Sequence, residues 1–276
     1  MCGVVNAAIE ECLAAGALRA TCVMANMPAY QAAVSLRHWF PRASVGLHWN
    51  LTQGRPVLPV TQVASLVDSH GQFFSAGRLR RRWFLRQVRL AEIIAELRAQ
   101  YHRFYTTAGQ PDFWNTHQNI HLLPGLFQAC AALGRELGIP AMRCHRRFTV
   151  PRDTTPIRYC LHHPLYWLKG QIIARWSQRE EARGTLMPDG RAYAPGYGVA
   201  ITAIDAIVER IEWNAVRVAV EMVVHPATAV QEEFFGGLTE SRLLEYAALK
   251  DPRLTERLRQ RGIETVGFDV LHKMQR

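Results

Sequence analysis

The sequence predicts an α/β protein, a (β/α) barrel, complete or irregular, in which the strand that should precede the first helix is absent. Three observations carry that expectation. Helix-type and strand-type segments alternate along the chain, the pattern produced by right-handed βαβ units around a parallel sheet. His48, His117 and His225 stand at the ends of three strand-like runs, where α/β enzymes place ligating and catalytic groups. No internal repeat, low-complexity tract or linker divides the 276 residues, so a single domain over 1–276 is the economical reading. Insertions are expected at about 53–86 and 146–200.

The elements follow in order. Asn6 to Ala15 has helical spacing in Ile9, Cys12 and Leu13, and Gly16 supplies a C-terminal stop. Ala20 to Ala25 reads as a buried strand, Pro28 to Trp39 as a helix with proline in its first turn, and Ser44 to Leu51 as the next strand. Residues 53–86 read as irregular because Gly54, Pro56, Pro59, Gly71 and Gly77 interrupt them. Val88 to Thr107 is the clearest helix, with Leu90, Ile93, Ile94, Leu97, Tyr101 and Phe104 on one face. A strand at Phe113, a helix over Pro124 to Leu137 ended by Gly138, and a strand over Ile139 to Cys144 come next. Further on, Leu161 to Arg183 contains a helix and Pro188 to Gly198 is a loop. A helix near Ala203 to Ile211 precedes a strand over Val216 to Val224. Helices over Thr239 to Lys250 and Pro252 to Gln260 lead to a last strand at Glu264 to Val270. A parallel barrel ordinarily begins with a strand, whereas Met1 to Asn6 leads straight into a helix.

Composition narrows the function classes. A hydrophobic fraction of 49% is ordinary for a folded globular chain. No run of about 18 apolar residues supports a membrane span, and no secretory signal is visible, so a cytoplasmic location is expected. The six cysteines form no CxxC pair, which favours reduced, buried thiols over a disulfide scaffold or zinc–thiolate site. The net charge of +10 is concentrated partly in Arg78, Arg80, Arg81, Arg82, Arg86 and Arg89. A solvated arginine-rich surface is the plainer account. No nucleic-acid partner is expected, since no recognised motif accompanies the charge. Trp83, Phe84 and Leu85 beside the arginines keep a weak membrane-surface reading open.

The densest chemistry lies in Asp112-Phe113-Trp114-Asn115-Thr116-His117-Gln118-Asn119-Ile120-His121. A lone strand histidine is more often a core residue hydrogen-bonded to backbone than a ligand. Three at strand ends suggest one pocket. Trp49 and Trp114 flank the ligand positions, where indoles either stack on sugar rings or simply pack the core.

At these residues the chain resembles the YdjC-like carbohydrate deacetylases, a family that also includes hopanoid-biosynthesis-associated members. The resemblance covers nearly the whole chain. It rests on Asn6-Ala7-Ala8-Ile9, Thr21-Cys22-Val23-Met24-Ala25-Asn26-Met27-Pro28-Ala29, Val45-Gly46-Leu47-His48-Trp49-Asn50-Leu51-Thr52-Gln53-Gly54-Arg55-Pro56, Asn115-Thr116-His117-Gln118-Asn119-Ile120-His121 and Glu221-Met222-Val223-Val224-His225-Pro226-Ala227.

The resemblance implies an irregular barrel of the glycoside hydrolase/deacetylase type and hydrolysis of N-acetyl groups on amino sugars. It also implies a divalent metal, magnesium before zinc, and relatives that suggest homodimers. It makes His48 and His117 the metal ligands and places His225 in a catalytic role. His121 and Asn115 fall in the substrate or outer-shell part of the site.

Two departures accompany the resemblance. The family opens with a strand ending in Ala-Asp-Asp-Phe-Gly, which has no counterpart here. Asn115 and Asn119 stand where many relatives carry aspartate and histidine. Without the charged ligand, magnesium binding and deacetylase activity are expected to be weak. A non-catalytic sugar- or lipid-binding relative and a basic peripheral membrane protein are the rival readings.

Overall fold

The structure, a computed structural model, describes residues 1–145, 164–192, 201–231 and 240–274. Cys160, His162, His163 and, of the insertion expected at 146–200, residues 146–163 and 193–200 lie outside these residues. The first elements are α1 (Gly3–Ala14), β1 (Ala20–Val23), α2 (Tyr30–Trp39), β2 (Ser44–Trp49), α3 (Ala76–Phe84) and α4 (Leu90–Ala108). They continue with β3 (Phe113–Thr116), α5 (Leu126–Glu136), β4 (Ala141–Met142), α6 (Pro164–Glu181) and β5 (Gly190–Ala192). The last are α7 (Ile201–Val208), β6 (Val220–Met222), α8 (Glu240–Lys250) and α9 (Pro252–Gln260). Two compact units result. One is Thr21–Met142 with Met1, and the other is Cys2–Ala20 with Arg143–Arg276.

The first unit is built on a four-stranded sheet in the order β1-β2-β3-β4. Spatial order follows chain order, and β2–β3 and β3–β4 are parallel. That progression belongs to (β/α) barrels, because a doubly wound sheet reverses direction at a switch point. Within β2 only His48 escapes full burial, as expected of a parallel strand covered on both faces. Gly46 is required there, since a Cβ would meet the Phe113 ring at 2.7 Å.

A buried polar network holds the chain after β2. The Gln100 side chain pairs with both the N–H and the carbonyl of Asn50 (2.9 and 2.7 Å). The Glu96 carboxylate accepts the N–H groups of Val57 and Leu58 (2.9 and 3.0 Å). Burial pushes the Glu96 carboxyl above its usual range, against the pull of these donors.

The expectation of irregular structure over residues 53–86 is corrected by α3. Ser75 accepts the Arg78 N–H at 3.5 Å as an N-cap, and Leu79 anchors the helix in the core. Gly77 sits near the helix start, where a breaker costs little.

In the second unit β5 and β6 pair in parallel, Gly190 opposite Val220. The loop expected over Pro188 to Gly198 therefore contains a strand as far as it is described. Asp189 secures it by accepting the N–H groups of Arg217, Val218 and Ala219, a clip between segments some thirty residues apart that local patterning does not reveal. The strand expected over Val216 to Val224 shrinks to β6. The strand expected at Glu264 to Val270 does not form. A turn of 3-10 helix begins at Phe268 instead. Residues 264–267 pair with no strand among the described residues, and an apolar cavity of about 640 Å³ opens beside them, lined in part by Leu18, Val220, Met222 and Leu254. The core of this unit is built from α7, α8 and α9, with Ile204, Ile207, Leu249, Leu254 and Leu258 buried together.

Candidate metal and catalytic site

The register of the parallel sheet creates the site. His48 lies opposite Asn115 across the β2–β3 ladder, so their side chains emerge on one face. Two residues further on, the period of the strand returns His117 to that face. His48 Nε2 and His117 Nδ1 approach to 3.4 Å, with the rings edge to face at a centroid distance of 5.4 Å. The expected meeting of these two imidazoles is thus present in the structure.

Hydrogen bonding sets the His48 tautomer. Asn115 directs its Nδ2 at Cys22 Sγ (3.7 Å) and its Oδ1 at His48 Nδ1. A carbonyl oxygen accepts only, so His48 carries its proton on Nδ1 and presents the lone pair of Nε2 towards His117. Two nitrogen ligands roughly 2.1 Å from one ion lie about 3.4 Å apart in tetrahedral geometry and about 3.0 Å apart at a right angle. The pair therefore fits two ligand positions of one divalent ion. Among the described residues no group of three His, Cys, Asp or Glu side chains is arranged to hold a metal. The pair fits as two neutral donors, with no carboxylate joining them among the described residues.

The segment after β3 departs from the expectation. The strand stops at Thr116, and His117–Leu122 is a tight 3-10 segment broken at Gln118 and Asn119, with φ of 52° and 51°. Side chains rarely adopt this left-handed backbone, at a cost of about 1 kcal/mol per residue. Arg80 on α3 donates to the Gln118 carbonyl at 3.0 Å and Trp83 Nε1 donates to the Pro124 carbonyl at 3.2 Å, so α3 braces the turn that presents His117.

His121 is fully buried. Its Nδ1 pairs with Thr116 Oγ1 at 2.5 Å, and its ring packs against Phe127 and Trp114. A sugar cannot reach it, so that part of its expected role is corrected to supporting the turn from behind. Trp49 and Trp114 are likewise core residues, 0% and 1% exposed, packed on each other at 4.9 Å. Trp49 Nε1 donates to the Leu97 carbonyl, and a Cβ at Gly134 would fall 2.5 Å from Trp114 Nε1. Neither indole offers a face to a sugar, and the stacking expectation is corrected. Trp49→Ala or Trp114→Ala is expected to cost about 3–5 kcal/mol of stability by denaturant unfolding, while Trp114→Phe leaves the KM for an amino sugar unchanged.

His225 belongs to the second unit, three residues beyond β6. Its backbone N–H donates to the Glu245 carboxylate, a buried group whose pKa burial raises. His145 is also buried. The five described cysteines are free thiols. Two contributors escaped sequence reasoning. Cys22 gave only the faint signal of a polar thiol alternating with buried Thr21 and Val23, and Arg80 was one arginine among six.

The family model described as YdjC-like protein matches residues 1–260, and the chain belongs to this family. A carbohydrate deacetylase of Geobacillus stearothermophilus is 26% identical over 98% of this chain and 93% of its own length. A chitooligosaccharide deacetylase of Yersinia pseudotuberculosis (serotype O:1b) is 26% identical over 97% of this chain and 94% of its own length. The crystal structure of an Enterococcus faecalis protein, provisionally assigned to cellobiose-phosphate cleavage, superposes with a TM-score of 0.73 at 21% identity, covering 97% of this chain and 93% of that one. Its fold is shared. No helix among the described residues is long and apolar enough to cross a membrane.

Proposed function

We propose that the protein removes acetyl groups from N-acetylated amino sugars by metal-assisted amide hydrolysis. The convergence of His48 Nε2 and His117 Nδ1 carries this reading, and the deacetylase names of full-length relatives support the reaction class. A divalent ion there would acidify a bound water and polarise the acetamide carbonyl. His48 would hold it through Nε2, fixed in that tautomer by Asn115, and His117 through Nδ1. His225, on the strength of the resemblance, is proposed to protonate the departing amine. Magnesium is the ion the resemblance implies, yet a hard cation prefers oxygen donors and two imidazoles suit zinc better.

The test is acetate release from N-acetylchitooligosaccharides, assayed with magnesium and with zinc after chelation. Release that returns on adding either metal and scales with its concentration is the expected result. Release unaffected by chelation would remove the metal from the mechanism, and no release from any N-acetylated amino sugar would remove the hydrolase.

A further inference from the structure

The arginine cluster left unexplained by the site has a defined geometry. Between Asp68 and Glu92 the chain contains six arginines and no acidic residue. Only Arg89 forms an ion pair among the described residues, with Glu92 at 2.9 Å. Arg78 and Arg82 lie over the Phe74 ring, and Arg80 is used on the Gln118 carbonyl. Arg81 and Arg86 are exposed. Beside these charges Phe84 is 65% exposed and Leu85 55%, although Leu79 and Val88 on either side are buried. The turn is therefore anchored at both ends and pushes its apolar tip outward.

The turn is also held in an unfavourable shape. Arg86 closes α3 with φ of 55°. The Gln87 N–H returns to the Arg82 carbonyl (2.8 Å) and the Arg86 N–H to the Trp83 carbonyl (3.0 Å). This is the helix-ending motif that glycine normally fills, so an arginine there gives up stability for a charge beside Phe84 and Leu85.

We propose that the end of α3 and the following turn dock on an anionic phospholipid bilayer. Phe84 and Leu85 enter the headgroup layer, and Arg78, Arg81 and Arg86 meet its phosphates. Apolar side chains flanked by arginine are the elements of interfacial binding. A nucleic acid would use the charge but gain little from Leu85 or the exposed Leu90. A second copy of the chain would set one arginine cluster against another. The surface adjoins the turn that carries His117, which suits a substrate whose sugar is attached to a lipid. The docking itself does not depend on the metal reading.

Co-sedimentation with vesicles tests it. The full chain is expected to bind equimolar phosphatidylcholine–phosphatidylglycerol vesicles and not phosphatidylcholine alone, with binding that falls as salt rises. Arg86→Gly should weaken binding about fivefold while leaving the melting temperature unchanged or higher, so misfolding cannot mimic the result. Phe84→Ser with Leu85→Ser should weaken it at least about tenfold at constant charge. Equal binding to both vesicle types, or none, overturns the proposal. So does a Phe84→Ser, Leu85→Ser variant that binds as the parent does, whether or not the chain also retains RNA, and so does a dimer that this variant dissociates.

Discussion

Alanine at His48 or at His117 is expected to lower kcat/KM for acetate release by at least about a hundredfold. That figure is the upper end of what losing an outer-shell partner costs, and a ligand should cost more. Each ring supplies one of the two nitrogens that face each other at 3.4 Å. Removing either leaves, among the described residues, a single neutral donor, too little to hold a divalent ion against water. The double variant should be no worse than either single one, because two ligands of one ion act as a unit. Single-turnover rates, alongside circular dichroism to establish folding, check the expectation. A full hundredfold loss from each change, multiplied in the double variant, would mean that the two rings act separately and share no ion.

Asn115→Asp is expected to act in the opposite direction. Asn115 is buried against His48, and its Oδ1 already accepts the Nδ1 proton. A carboxylate in the same place would accept that proton with a full negative charge, raise the basicity of Nε2 and tighten metal binding by about 10–100-fold. The geometry can accommodate it, since the atom now facing Cys22 as a donor would become an acceptor and the thiol can donate in return. The same charge favours imidazolium, so His48 should take up a proton at higher pH in the variant. The gain in metal affinity should therefore be largest above the raised pKa and shrink as pH falls through it. Isothermal titration with zinc at several pH values measures both. Unchanged affinity at all pH values would show that Asn115 does not govern the ligand nitrogen.

Much of the frame was legible because it is local. The spacing of Ile93, Leu97 and Phe104 fixed the face of α4, and the run into His48 marked β2 as a strand. The harder cases depended on distant partners. Gly77 argued against α3 until Leu79 found its place in the core. Asp189 turned an expected loop into β5 through backbone groups of residues 217–219, and residues 264–267, strand-like in composition, pair with no strand among the described residues.

The site divides in the same way. Sequence alone placed His48 and His117 at strand ends, because strand-like runs are written in residue type and spacing; that their strands are neighbours came from the sheet itself. Tertiary structure alone decided which nitrogen of His48 is presented, that the two indoles are spent on the core, and that His121 stands behind the turn. Those outcomes are set by packing and by hydrogen bonds between residues far apart in the chain. The left-handed turn at Gln118 and Asn119 is the clearest instance, since its intrinsic preference opposes the shape that α3 and the core impose.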